Sequence, residues 1–152
     1  MKSKIEFASI LMMFIILISC GVSKNVNTVS IFRYINLNNN ERMELGSSFL
    51  GKEHLTEKIN DSRFIKDGVF GGAESIEVII DAQNKISKLI FEYDESIDKN
   101  NKIESYVKDL GIPIVKSGKA IWNDGKTQFE IYTKRKKGKN ITYSKLIDLE
   151  TK

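Results

Sequence analysis

Apolar residues fall at every second position in two neighbouring runs: Ile76, Val78 and Ile80, then Leu89, Phe91 and Tyr93. A period of two turns one face of a strand to a core and the other to water. The connection between the runs, Asp81-Ala82-Gln83-Asn84-Lys85, is short and polar, so residues 75–80 and 86–93 predict a β-hairpin. The period then changes. Ile103, Tyr106, Val107 and Leu110 recur at helical spacing and predict a helix over about 99–110. Residues 98–101 offer capping side chains, with Asn101 and Glu104 spaced like a capping box, and Gly111 and Pro113 end the helix. A stripe this narrow needs a single partner surface, and Leu89, Phe91 and Tyr93 are the expected one.

Alternation returns downstream. Residues 120–122 and 127–133 flank Asn123-Asp124-Gly125-Lys126, whose Asp-Gly pair suits a tight hairpin, and Lys134 to Asn140 leads to a last strand at 141–149. Upstream, 28–37 is rich in β-branched and aromatic residues, so a first strand is expected there, with Arg33 at an edge or mouth and Asn38-Asn39-Asn40 as a turn. Residues 41–66 are ambiguous: Met43 and Leu45 suit a short strand, while Leu55 and Ile59 lie at helical spacing within 52–60. Gly68, Gly71 and Gly72 read as a flexible connection. Together these elements predict an α+β fold, an antiparallel sheet with one main helix packed on one face.

The N-terminus follows neither period. Lys2 and Lys4 precede an apolar run of 12 residues, Phe7 to Ile18, with Ser9 its one polar member. As a helix that run spans only about 18 Å, against roughly 30 Å of bilayer hydrocarbon, which suits an export signal better than a permanent span. Leu17-Ile18-Ser19-Cys20 resembles the lipobox of bacterial lipoproteins. That resemblance implies diacylglycerol on the Cys20 sulfur, cleavage before Cys20, and a membrane-anchored protein, with a conventional cleaved signal or an uncleaved anchor as the alternatives. Residues 1–19 then form the signal peptide, 20–27 the lipidated cysteine and tether, and 28–152 a single domain. Two acyl chains hold a protein on a membrane where one does so only marginally. Gly21 stands where lipoproteins of an inner membrane often carry aspartate, which points to the periplasmic side of an outer membrane if the source has two.

Composition narrows the rest. The chain has 152 residues and a formal charge of +4; without residues 1–19 it keeps 133, with 22 basic and 19 acidic side chains. That length suits one domain with a real core, and so mild a positive excess does not suggest nucleic acid. Cys20 is the only cysteine, so the domain can form no internal disulfide and packing must hold it.

Candidate chemistry fails at decisive positions. Gly46 to Lys52 fits the start of a P-loop, but the next position, which should offer magnesium a hydroxyl, is Glu53. Asp94, Ser96 and Asp98 alternate as in a calcium loop, yet Lys99 stands where glycine is required and Ser105 where glutamate is, so a helix cap explains them better. His54 is the only histidine; beside Ser47 or Ser48 it could serve as a base, but its lysine-rich neighbourhood suits a surface residue. Glu92, Asp94 and Glu95 read as a solvated strand edge rather than an acid–base pair. No catalytic residue, metal ligand or cofactor is assigned beyond the lipid on Cys20. The residues singled out for a partner are Trp122, either a lid on the core or an exposed anchor, and Arg135, Lys136 and Lys137 in the basic run, which otherwise reads as a solvated hairpin turn.

Tyr106-Val107-Lys108-Asp109-Leu110-Gly111-Ile112-Pro113, followed by strands containing Trp122, resembles BamE-type small envelope lipoproteins over about residues 103–133. There a helix ending in L-G-x-P precedes a tryptophan-bearing antiparallel sheet. The resemblance implies a protein-binding role without catalysis, as in the β-lactamase-inhibitor proteins of similar shape. The expectation is therefore a lipid-anchored envelope protein that binds another envelope protein and no nucleic acid. An inhibitor or immunity protein against an exported toxin is the nearest alternative, and an envelope hydrolase using His54 a more distant one.

Overall fold

The computed structural model describes residues 29–37 and 41–150. Cys20 and the lipobox lie outside the described residues. The predicted hairpin is present as β5 (Ala73–Ile80) and β6 (Ile86–Tyr93), and the predicted helix as α1 (Lys99–Leu110). Before them come β1 (Tyr34–Asn36), β2 (Arg42–Glu44), β3 (Glu57–Asn60) and β4 (Arg63–Phe70); after them come β7 (Ile114–Lys116), β8 (Lys119–Asn123), β9 (Thr127–Lys136) and β10 (Lys139–Asp148). Eight strands form one antiparallel sheet in the order β3-β4-β5-β6-β10-β9-β8-β7, while β1 and β2 pair separately. The sheet is thus two four-stranded meanders joined where β6 meets β10, with α1 carrying the chain from the centre to the far edge. The α+β expectation holds at this level.

One face of the sheet is apolar in continuous rows, because cross-strand partners share a face. Phe64, Val78, Leu89, Leu146, Phe129 and Trp122 pair in register across six strands, and all are buried. A parallel row runs through Ile76, Phe91, Ser144, Ile131 and Ala120. The helix and the irregular segment before β3 cover this face. Phe49 meets Phe64 at 4.5 Å over the first meander, while Phe32 and Tyr106 meet Phe129 at 5.3 and 4.8 Å over the second.

Several boundaries differ from expectation, for identifiable reasons. The helix settles against β9, not mainly on the hairpin: Tyr106 packs edge-on to Phe129 and Trp122, while Phe91 and Tyr93 of the expected trio share a cavity wall with it. Its cap is Asp98, whose Oδ1 accepts from the Asn100 and Asn101 amides at 2.8 and 3.1 Å, so Asn101 is already inside the helix. The strand expected over 28–37 shrinks to Tyr34–Asn36, because the backbone before it is bound elsewhere: the Ile31 amide donates to Asp124 and the Arg33 carbonyl accepts from Leu45. Residues 52–60 make one 3-10 turn, Glu53–Leu55, and then a strand; the Asn60 side chain caps the Ser62 amide and turns the chain back into β4. The glycines read as a flexible connection belong to a hairpin, with Gly68 inside β4 and Gly71-Gly72 between the paired residues Phe70 and Ala73. Finally, β9 continues through the basic run to Lys136. Lys137 and Gly138, at φ of +50° and +83°, form the tight turn, which tolerates positive φ at both central positions.

Candidate partner-binding face

The second face of the sheet is covered by no other element among the described residues. Register identifies its occupants. Tyr143 stands opposite Tyr132, Lys145 opposite Glu130 and Ile147 opposite Gln128 on β10 and β9, while β6 adds Glu92, Ile90 and Lys88 in the same rows. Such side chains would be well solvated on a flat sheet, yet Glu130 is 4% exposed and Tyr132 8%. They shield one another. The Tyr132 and Tyr143 rings stack at 5.7 Å and 12°, and the ammonium groups of Lys119 and Lys134 lie 5.3 and 5.8 Å from the Tyr132 centroid. Lys134 also lies 5.9 Å from the Tyr143 ring, so one cation rests on both.

The acids on these strands are committed. Glu130 accepts from Lys119 and Lys145, each at 3.1 Å, and from the Gln128 amide at 2.6 Å. Burial pushes its carboxyl up, but those donors together outweigh burial and hold it below the ordinary range. Glu92 is bound by Lys136 and accepts from the Tyr143 hydroxyl at 2.9 Å. Burial, reinforced by Glu92, pushes the Tyr143 phenol up, and burial does the same to Tyr132, so both stay neutral. Lys88, Lys119, Lys134, Lys136, Lys139 and Lys145 stand on β6 and β8–β10 against Glu92, Glu130 and Glu95, the last bound to Lys139, which leaves this half of the face a positive surplus.

The residues singled out from sequence do not all meet here. Lys136 does, through Glu92. Lys137 sits in the exposed turn, and Arg135, paired with Asn140, shares the register of the helix-bearing face at the exposed end of β9. Trp122 is on the covered face: it is 5% exposed, stacks on Phe129 at 5.4 Å and donates its indole N–H to the Gly111 carbonyl at 2.8 Å. It is a lid that fastens the end of the helix. Tyr132, Tyr143 and Lys134 were not singled out, although alternation along β9 already placed Glu130 and Tyr132 opposite Phe129 and Ile131. The missing signal was the register of β10, which brings Tyr143 and Lys145 beside them.

Elsewhere the candidate motifs resolve into local structure. His54 is exposed, with Nε2 3.8 Å from Glu41, while the Ser47 hydroxyl donates to the Glu44 carbonyl and Ser48 accepts from the Leu50 amide. The Gly46–Lys52 segment leads into the 3-10 turn, and the Lys52 ammonium donates to the Arg42 carbonyl. Asp94 accepts from the Ser96 amide at 2.8 Å and Asp98 caps the helix. Among the described residues no three acidic, histidine or cysteine side chains are placed to hold a metal, and no helix is long and apolar enough to cross a membrane. In comparisons with known proteins, the chain matches no family model, no curated protein and no solved structure.

Proposed function

We propose that this chain is a lipid-anchored envelope protein, held through Cys20, whose domain binds the acidic surface of a protein partner with the open face of its sheet and does no catalysis. The observation that carries the binding reading is the Tyr132–Tyr143 stack under Lys134, set in a positive surplus of lysines. Interface energy concentrates in rigid aromatic side chains ringed by polar groups. Stacked rings lose little rotamer freedom on binding, and their lysines steer an acidic partner. Support for the anchor is the charged start, the short apolar run and the match to the lipobox at Leu17-Ile18-Ser19-Cys20.

Affinity capture of the chain from its own membranes, read by mass spectrometry, tests the face. Tyr143→Ala combined with Lys134→Glu should reduce capture of the principal partner about tenfold or more, with the unfolding midpoint little changed. Capture that survives this pair of substitutions would overturn the face as the binding site. A stable His54→Ala protein that retained its partner but lost cellular function would favour an enzyme instead.

A further inference from the structure

The row Ile76, Phe91, Ser144, Ile131, Ala120 contains one residue out of character. Ser144 is wholly buried among apolar neighbours, and its small side chain leaves space above it on the covered face. That space is a cavity of about 280 Å³, walled by Phe32, Ile35, Phe91, Tyr93 and Tyr106, with exposed Asn36 and Gly71 at its rim. A cavity of roughly 150 Å³ admits benzene, so one of about 280 Å³ suits a molecule of some ten to twelve heavy atoms.

Two features give the cavity a polarity. At its floor the Tyr93 and Ser144 hydroxyls share one hydrogen bond of 2.8 Å. The Tyr106 phenol also lies against that of Tyr93, so three hydroxyls bring three donor hydrogens to two mutual bonds and one donor is left for a ligand. Burial pushes the Tyr93 phenol far above its ordinary range, so it stays an O–H group at any physiological pH. On the helix side the Lys102 ammonium lies 4.3 Å from the Tyr93 ring centroid and 5.4 Å from that of Tyr106. It has no acidic partner among the described residues, and partial burial pushes it down from the usual lysine range. A half-buried cation beside an aromatic cavity, with a spare hydroxyl donor at the floor, lacks an anion.

We infer that this cavity is a binding site for a small amphipathic monocarboxylate, its ring or short chain among Phe32, Phe91 and Tyr106 and its carboxylate between Lys102 and the Tyr93–Ser144 hydroxyl pair. The site is on the covered face, so it does not depend on the partner-binding reading.

The test uses 3-phenylpropionate, which has about eleven heavy atoms and fits the volume, and its uncharged isostere 3-phenylpropionamide. Isothermal titration calorimetry on the full chain in nanodiscs should give sub-millimolar affinity for the acid and about tenfold weaker binding of the amide, the usual scale of one charge-assisted hydrogen bond. Lys102→Met, at a partly exposed helix position, should erase the preference without removing the amide's binding. Ser144→Leu, which fills the floor, should abolish both, while Ser144→Ala, which does not fill it, should keep the acid bound. Equal affinity for acid and amide in the unaltered chain, a preference that survives Lys102→Met, or no heat above that of empty nanodiscs would each overturn the proposal.

Discussion

Phe129→Ala should be among the most damaging single truncations in this domain. Phe129 is fully buried in the middle of the sheet's covered face. Leu146 and Trp122 flank it in register, and the rings of Phe32, Tyr106 and Trp122 meet it at 5.3, 4.8 and 5.4 Å. It is therefore the point at which the N-terminal segment, the helix and the second meander are joined. Removing a buried phenylalanine costs about 3–5 kcal/mol with its ring contacts included, and a residue that loses several aromatic pairs belongs at the upper end. With three rings left facing a hole that a rigid sheet cannot close, about 4–5 kcal/mol is expected. Leu110→Ala, at a partly buried helix position, should cost about 2 kcal/mol, and Phe129→Leu should fall between them. Urea unfolding of the chain from residue 20 with Cys20→Ala, followed by far-UV circular dichroism, measures all three. The denaturant slope should stay constant if only native-state packing has changed. A loss at Phe129 no larger than that at Leu110 would refute the idea that the covering layer is held through this ring.

Four further outcomes are expected. Cys20→Ala should abolish incorporation of labelled fatty acid; label retained in the variant, or absent from the unaltered chain, would dismiss the anchor. Glu130 titrates below its ordinary range in the folded state, so its contribution to stability is full above the unfolded carboxylate value of about 4.3 and is lost as pH falls through the folded value. Glu130→Gln should therefore flatten the fall in melting temperature below about pH 4–5, and an unchanged acid limb would count against the Lys119–Glu130–Lys145 network. Arg33→Met should cost about 3 kcal/mol in urea unfolding, because it strands the Asp148 carboxylate, only 1% exposed, without its 2.9 Å partner; a cost under 1 kcal/mol would show that water replaces the guanidinium. Asp124→Ala should cost about 2 kcal/mol, more than an ordinary turn residue, because its carboxylate accepts from the Ile31, Lys126 and Thr127 amides.

Elements that close on themselves were legible in the sequence. The β5–β6 hairpin and α1 needed only local periods and local caps, so their limits followed from Ile76 to Tyr93 and from Asp98 to Gly111. Elements whose backbone partners are distant were not legible. The amide of Ile31 is held by a residue 93 positions away, which keeps residues 29–33 out of any strand despite their β-branched composition. Ile59, at helical spacing from Leu55, is 49% exposed in an edge strand, so the apparent stripe in 52–60 was chance spacing. The same distinction applies to the candidate face. Alternation placed Tyr132 and Glu130 away from the core, but only the pairing of β9 with β10 shows that Tyr143 and Lys145 stand beside them and make a surface of four separate residues.

If Cys20 carries the proposed anchor, its distance from the fold bears on what the basic turn meets. The Ile31 amide and the Arg33 guanidinium are fixed to Asp124, Lys126 and Thr127, at the turn that begins β9. Lys137 and Gly138 form the turn that ends it. A ten-residue strand at about 3.3 Å per residue separates those turns by roughly 30 Å. The nine steps from Cys20 to Val29 reach at most about 30 Å when fully extended. A chain anchored at Cys20 could bring the basic turn to the headgroups only by running nearly taut along the whole length of the sheet, at a large cost in chain entropy. The less costly orientation holds the Asp124 turn toward the membrane and carries Lys134, Lys136 and Lys137 outward. Those charges then face a partner rather than lipid, beside Tyr132 and Tyr143 on the open face. Liposome flotation of the Cys20→Ala chain provides the check: it should stay in solution with anionic vesicles at 150 mM salt, a condition that screens exposed charges beyond about 8 Å. Flotation that disappeared on charge reversal at Lys136 and Lys137 would place the turn on the membrane and reverse the orientation.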